Sequence, residues 1–98
     1  MIIDRRTHIT KRGYEDEAVE IVKKGTAYVP FTVPYRIYLP QVGPFNVVVL
    51  ELEFKDLAEY DRFWTGWLEK APQEWWDSWM NATENGGGNE IYQLVFKA

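Results

Sequence analysis

Apolar and polar positions alternate most cleanly between Asn46 and Phe54, where Val48, Leu50, Leu52 and Phe54 occupy one face of a predicted strand and Val47, Val49, Glu51 and Glu53 the other. One face is wholly apolar; the other begins apolar and ends acidic. Met1 to Ile9 reads as a first strand from its β-branched residues, closed by the polar run Thr10-Lys11-Arg12-Gly13. From Tyr14 to Lys24 the period changes: Tyr14, Ala18, Ile21 and Val22 recur at helical spacing, with acids at the start and Lys23 and Lys24 at the end, complementing the helix dipole. Gly25 is placed to end that helix in the left-handed conformation. Two prolines make Thr26 to Pro34 an extended, irregular approach to a second strand at Tyr35 to Leu39, and Pro40 to Pro44 forms the turn into the strand at Asn46.

Asp56, with Glu59 three residues later, predicts a capped helix start, and that helix runs to about Lys70. Pro72 is read as the first residue of a further short helix ending near Ala82. Asn85-Gly86-Gly87-Gly88 is expected to be a flexible connector, followed by a fourth strand at Asn89 to Phe96. The order strand, helix, strand, strand, helix, strand predicts a ferredoxin-like α+β domain over residues 1–98, a four-stranded antiparallel sheet with helices on one face. The face carrying Val47 and Val49 is left uncovered, and a second copy of the chain is the simplest cover.

Composition narrows the chemistry. The 98 residues suffice for one domain, and the net charge of −4 disfavours nucleic acid and anionic membranes as partners. With no Cys, disulfides, thiolate nucleophiles and cysteine-held metals are excluded, and no cofactor is called for. The amino terminus lacks the apolar core of a signal peptide and no stretch has the length of a spanning helix, so a soluble cytoplasmic protein is the expectation. All five Trp lie between Trp64 and Trp79. Tyr60, Trp64, Trp67 and Leu68 sit at helical spacing, as do Trp75 and Trp79, so these rings form either core or the wall of an aromatic cavity. Trp75 and Trp76 are neighbours and cannot both point inward, which leaves at least one exposed, in an interface or at a cavity mouth.

His8, the only histidine, shares a strand face with Asp4 and Arg6. Asp4 is positioned to raise its pKa and form a general acid/base pair; alternatively the three residues are a polar face paired with Glu51 and Glu53. Ile3, Thr7 and Ile9 are expected to face the helices together with Arg5, whose guanidinium then needs a carboxylate, an aromatic ring or an anionic ligand; a register slip of one would exchange Arg5 and Arg6. Asp61, Glu69 and Asp77 are read as solvated helix surface and not as a metal site.

Several motifs in order resemble the NIPSNAP-like branch of the dimeric α+β barrel superfamily. They are Arg6-Thr7-His8-Ile9-Thr10-Lys11-Arg12-Gly13, Gly43-Pro44-Phe45-Asn46-Val47-Val48, Phe54-Lys55-Asp56-Leu57-Ala58-Glu59 and Pro72-Gln73-Glu74-Trp75. The resemblance implies a homodimer with two sheets pressed into a barrel and, in several relatives, a ligand cavity between each sheet and its helices. His8 stands where the family has Tyr and Arg12 where it has Pro, and the Asn/Trp/His set of haem-degrading relatives has no counterpart here. The expected function is binding of a small apolar or aromatic molecule, with cofactor-independent monooxygenase or isomerase chemistry as its enzymatic form. Arg6 and His8 are the candidate catalytic groups, and Arg5, Tyr38, Asn46, Trp64 and Trp67 the candidate ligand contacts. The alternative is a non-catalytic assembly module in which Trp75 or Trp76 docks another protein. The residues leave open whether the chain is an enzyme.

Overall fold

The computed structural model describes residues 1–29 and 31–98. Strand β1 (Ile2–Thr10) leads into helix α1 (Glu15–Gly25), a 3₁₀ turn (Thr26–Tyr28) and the short strand β2 (Tyr35–Tyr38). Strand β3 (Val47–Phe54) is followed by helices α2 (Leu57–Lys70) and α3 (Gln73–Ala82) and strand β4 (Thr83–Gln93). The sheet order is β2-β3-β1-β4 and every neighbour is antiparallel, the predicted ferredoxin-like α+β arrangement.

The alternation along β3 turns into packing as expected. Val48, Leu50, Leu52 and Phe54 are buried, and with Val22 and Phe63 they form the core beneath the helices. Asp56 caps α2 by accepting the Glu59 backbone N–H at 2.8 Å, while the Glu59 carboxylate reaches back to the Lys55 N–H at 3.0 Å, a capping box displaced by one residue. Pro72 is the N-cap of α3, one residue earlier than its predicted place at the first helical position.

Three expectations are corrected. Gly25 does not turn left-handed: its φ is −59°, and the chain runs on into the 3₁₀ turn. Its lack of a side chain serves a close approach instead, because a Cβ there would stand 3.1 Å from the Trp75 ring. The glycine run is not a connector and β4 does not begin at Asn89. The strand starts at Thr83 and crosses the glycines as a bulge against β1, where pairing steps from Thr7–Gly88 to Ile9–Glu84. Gly87 has φ +91° there, and any Cβ would collide with the Thr7 carbonyl. The strand also ends at Gln93, leaving Leu94–Phe96 outside it.

The third correction concerns the faces of β1. Its register sets Asp4 opposite Leu52, Arg6 opposite Leu50 and His8 opposite Val48. Directly opposed residues share a face, so Asp4, Arg6 and His8 point at the helices while Ile3, Arg5, Thr7 and Ile9 lie on the uncovered face. Arg5 and Arg6 have thereby exchanged their expected roles. The physical reason is that the helices bring indole N–H and phenol groups over Asp4 and Arg6, which satisfies polar atoms that would otherwise be costly to bury.

Candidate functional site

A cavity of about 160 Å³ lies between the sheet and the helices. Its floor is Arg6 and His8 of β1 with Leu50 and Leu52 of β3; α1 and the following turn contribute Val22, Gly25, Thr26 and Val29. The remaining wall is aromatic: Phe63, Trp64 and Trp67 from α2 and Trp75, Trp76 and Trp79 from α3. All five Trp therefore meet at one place, because α2 and α3 project rings three and four residues apart toward the same sheet face.

The rings hold one another. Trp67 stands edge-on to Trp64, Trp75 and Trp76 at centroid distances of 5.7, 5.0 and 5.2 Å, and Trp75 stacks on Trp79 at 5.6 Å. Three indole N–H groups are bonded inside the protein: Trp64 to the Asp4 carboxylate, Trp67 to the Gly25 carbonyl at 3.0 Å and Trp75 to the Ile21 carbonyl at 2.8 Å. What these rings offer the cavity is π surface. The expectation that the neighbours Trp75 and Trp76 could not both point inward is corrected: both line the cavity, Trp75 buried and Trp76 half-buried, because each ring packs edge-on against Trp67.

The polar end is built on Asp4, which is fully buried. Its Oδ2 accepts from Arg6 Nε at 3.1 Å and from Trp64 Nε1 at 2.9 Å, and Oδ1 has no partner among the described residues. Arg6 Nη2 donates to the Tyr60 hydroxyl at 3.1 Å, and the guanidinium carbon lies 3.9 Å from the Trp64 ring centroid. The guanidinium is thus fixed in plane and direction beside the cavity. The His8 ring stands edge-on to Trp79 at 4.9 Å and makes no side-chain hydrogen bond among the described residues. The expected Asp4–His8 pair does not form, since Asp4 is engaged by Arg6 and Trp64. Burial pushes the His8 pKa below its usual value and the neighbouring Arg6 charge adds to this, opposite to the rise that a carboxylate partner would have produced. His8 is accordingly neutral at pH 7, with one ring nitrogen free to accept and one to donate.

The structure brings Arg6, His8, Trp64 and Trp67 together and places Arg5, Tyr38 and Asn46 elsewhere. Arg5 and Tyr38 lie on the uncovered face, where both bond Glu51, at 2.8 and 3.1 Å, with Arg36 bridging Glu51 and Glu53. Glu51 and Glu53 therefore pair with Arg5 and Arg36, and not with Arg6 and His8. Burial pushes the Glu51 pKa up, but hydrogen bonds from Arg5 and Tyr38 and the charges of Arg5 and Arg36 hold it below the ordinary carboxylate value. Asn46, the residue before β3, has φ +59°, a conformation Asn tolerates, and its carbonyl accepts the Thr10 N–H at 2.8 Å. Sequence reasoning missed two partners, Tyr60 for Arg6 and Trp79 for His8. The helical spacing of Tyr60 with Trp64 and of Trp75 with Trp79 was the available signal.

No helix among the described residues is long and apolar enough to cross a membrane. No family model matches the sequence, and none of the curated proteins does. Solved structures do match over nearly the whole chain. A NIPSNAP family protein of unknown function from Agrobacterium tumefaciens superposes with a TM-score of 0.77 at 17% identity, covering 97% of this chain and 88% of its own. An uncharacterised NIPSNAP-like domain protein from Burkholderia xenovorans gives 0.73 at 18% identity, covering 99% and 88%. A putative antibiotic biosynthesis monooxygenase from Chloroflexus aurantiacus gives 0.74 at 10% identity, covering 99% and 95%. The chain thus has the α+β fold shared by NIPSNAP proteins and antibiotic biosynthesis monooxygenases.

Proposed function

We propose that this protein is a homodimeric, small-molecule-binding α+β barrel that holds an apolar or aromatic compound between its sheet and helices. The observation that carries the reading is the convergence of all five Trp with Arg6 and His8 on one cavity. An apolar enclosure with a few directed polar groups is the usual form of a small-molecule site. The same pair supplies chemistry: neutral His8 accepts a proton from an acidic O–H or C–H of the ligand, and Arg6 stabilises the charge left on the adjacent oxygen. The carbanion then either takes up dioxygen and the proton held by His8 as a hydroperoxide, which loses water to leave a carbonyl, or is reprotonated at another carbon; these are cofactor-independent monooxygenase and isomerase reactions respectively. The structural likeness to the putative antibiotic biosynthesis monooxygenase is compatible with the first. A cytoplasmic location belongs to the same proposal.

The assembly-module alternative loses its docking Trp, since Trp75 and Trp76 face the cavity, but gains the loop between β2 and β3, where Val42 and Phe45 are 96% and 92% exposed. Titration with small aromatic compounds followed by Trp fluorescence separates the two. A saturable change supports the cavity, and a flat response to every compound supports the module.

A further inference from the structure

We propose that the ligand of this cavity is a neutral, single-ring phenol, bound with its ring against the indoles and its hydroxyl between Arg6 and His8. The inference rests on the reading that the cavity takes a small molecule, and it names the class from three properties of the site.

Size comes first. The cavity measures about 160 Å³, and a dry apolar cavity of roughly 150 Å³ is filled by benzene. One ring with a small substituent fills such a space. Gly25 and the mutually locked rings of Trp67 and Trp75 leave the wall little room to retreat for a second ring: the Trp75 ring stands 3.1 Å from where a Gly25 Cβ would be, and both indole N–H groups are tied to backbone carbonyls.

Charge comes second. A lone arginine would attract a carboxylate, but the charge of Arg6 is already balanced by the buried carboxylate of Asp4 at 3.1 Å. His8 is neutral and adds nothing to offset an anion. A carboxylate ligand would therefore set against the indole wall a charge that neither Arg6 nor His8 is left to offset, which is costly. A neutral ligand avoids that cost.

Hydrogen-bond sense comes third. Arg6 uses Nε on Asp4 and Nη2 on Tyr60, leaving Nη1 as a donor with no partner among the described residues. The His8 imidazole has no partner there either, and its neutral form includes an acceptor nitrogen. A group that accepts from a guanidinium and donates to an imidazole is a hydroxyl. An aromatic hydroxyl meets both needs while presenting a flat face to the rings.

Titration calorimetry at pH 7 on the full chain with 4-methylphenol, toluene, benzoate and 2-naphthol tests this. The phenol is neutral at that pH, since hydroxyls of this type ionise near about pH 10. The expected result is saturable binding of 4-methylphenol at least about tenfold tighter than toluene, the net gain of its two hydrogen bonds after desolvation of the hydroxyl, with benzoate and 2-naphthol weaker than 4-methylphenol. In His8→Phe, which keeps a ring against Trp79, the preference for 4-methylphenol over toluene should fall below about threefold. Arg6→Lys preserves the charge opposite Asp4 and should reduce the same preference, giving a second readout if the first variant is poorly folded. Toluene binding as tightly as 4-methylphenol, tighter binding of benzoate or 2-naphthol, or an unchanged preference in both variants would overturn the phenol while leaving a binding cavity. Absence of saturable heat from all four compounds would overturn the cavity reading itself.

Discussion

Asp4 is the residue on which the polar end of the cavity turns. It is buried without exposure, it anchors Arg6, and it takes the Trp64 indole N–H. Arg6 in turn lies against the Trp64 face, so one carboxylate sets the direction of a cation and of an aromatic wall. His8 depends on the same group indirectly, through the Arg6 charge that helps hold its pKa down. That depression has a consequence for stability. The unfolded chain binds a proton at His8 near its ordinary value of 6.5, whereas the folded chain resists it. Below that pH the unfolded state is the greater proton binder and folding is penalised. The thermal midpoint is therefore expected to fall as pH drops from about 6.5 toward 5, before the carboxylates titrate, and His8→Phe is expected to flatten that slope. Equal pH dependence in the two proteins would show that His8 is not buried neutral.

At the scale of elements, β1 and β4 are where sequence and structure part. Strand β3 was legible because every alternate residue is apolar and only one face of it can enter a core. Strand β1 has no such bias: Ile3, Thr7 and Ile9 on one face look more apolar than Asp4, Arg6 and His8 on the other, yet the polar set faces the helices. The deciding groups, Trp64 and Tyr60, lie more than fifty residues away, so the pattern within β1 could not reveal them; their own helical spacing marks them as one face but not as the partners of Asp4 and Arg6. The glycine run misled for a related reason. Glycines read as flexibility, but here they let β4 bulge over the Thr7 backbone. Gly87→Ala should accordingly cost well over about 1 kcal/mol, because it combines a positive φ with a backbone collision. Urea denaturation checks this; a loss within about 0.5 kcal/mol would mean that the bulge relaxes freely. The helix limits, the α2 cap and the helical stripe of Trp were readable from spacing, which left open whether those rings were core or cavity wall. Their contact with Arg6 and His8 was not, because it depends on which face of β1 turns inward.

The whole molecule presents two unlike faces. One is closed by helices and contains the cavity. The other carries half-buried Ile3, Thr7, Ile9, Val47 and Val49 beside the ionic network of Arg5, Arg36, Glu51 and Glu53. Those charges are paired within the chain, so a second copy can cover the face without leaving unpaired ions in the interface. Light scattering at micromolar concentration is expected to give twice 11.6 kDa, and Val49→Lys, which puts an unmatched charge at the centre of the face, is expected to shift the mass toward the monomer. A wild-type mass of 11.6 kDa under those conditions would remove the barrel from the account. The cavity lies on the opposite side of the sheet from this face, so ligand binding and dimer formation can be measured separately.

Where a small aromatic compound binds can be read residue by residue. In nitrogen-15 NMR spectra the five Trp each give an indole N–H resonance, and a titration with 4-methylphenol reports on all of them together with the backbone amides of both sheet faces. Saturable shifts at the Trp67, Trp76 and Trp79 indoles, with the amides of Arg36, Tyr38 and Tyr92 unmoved, are predicted. Shifts confined to the open face, or none that saturate, would contradict a binding cavity between sheet and helices.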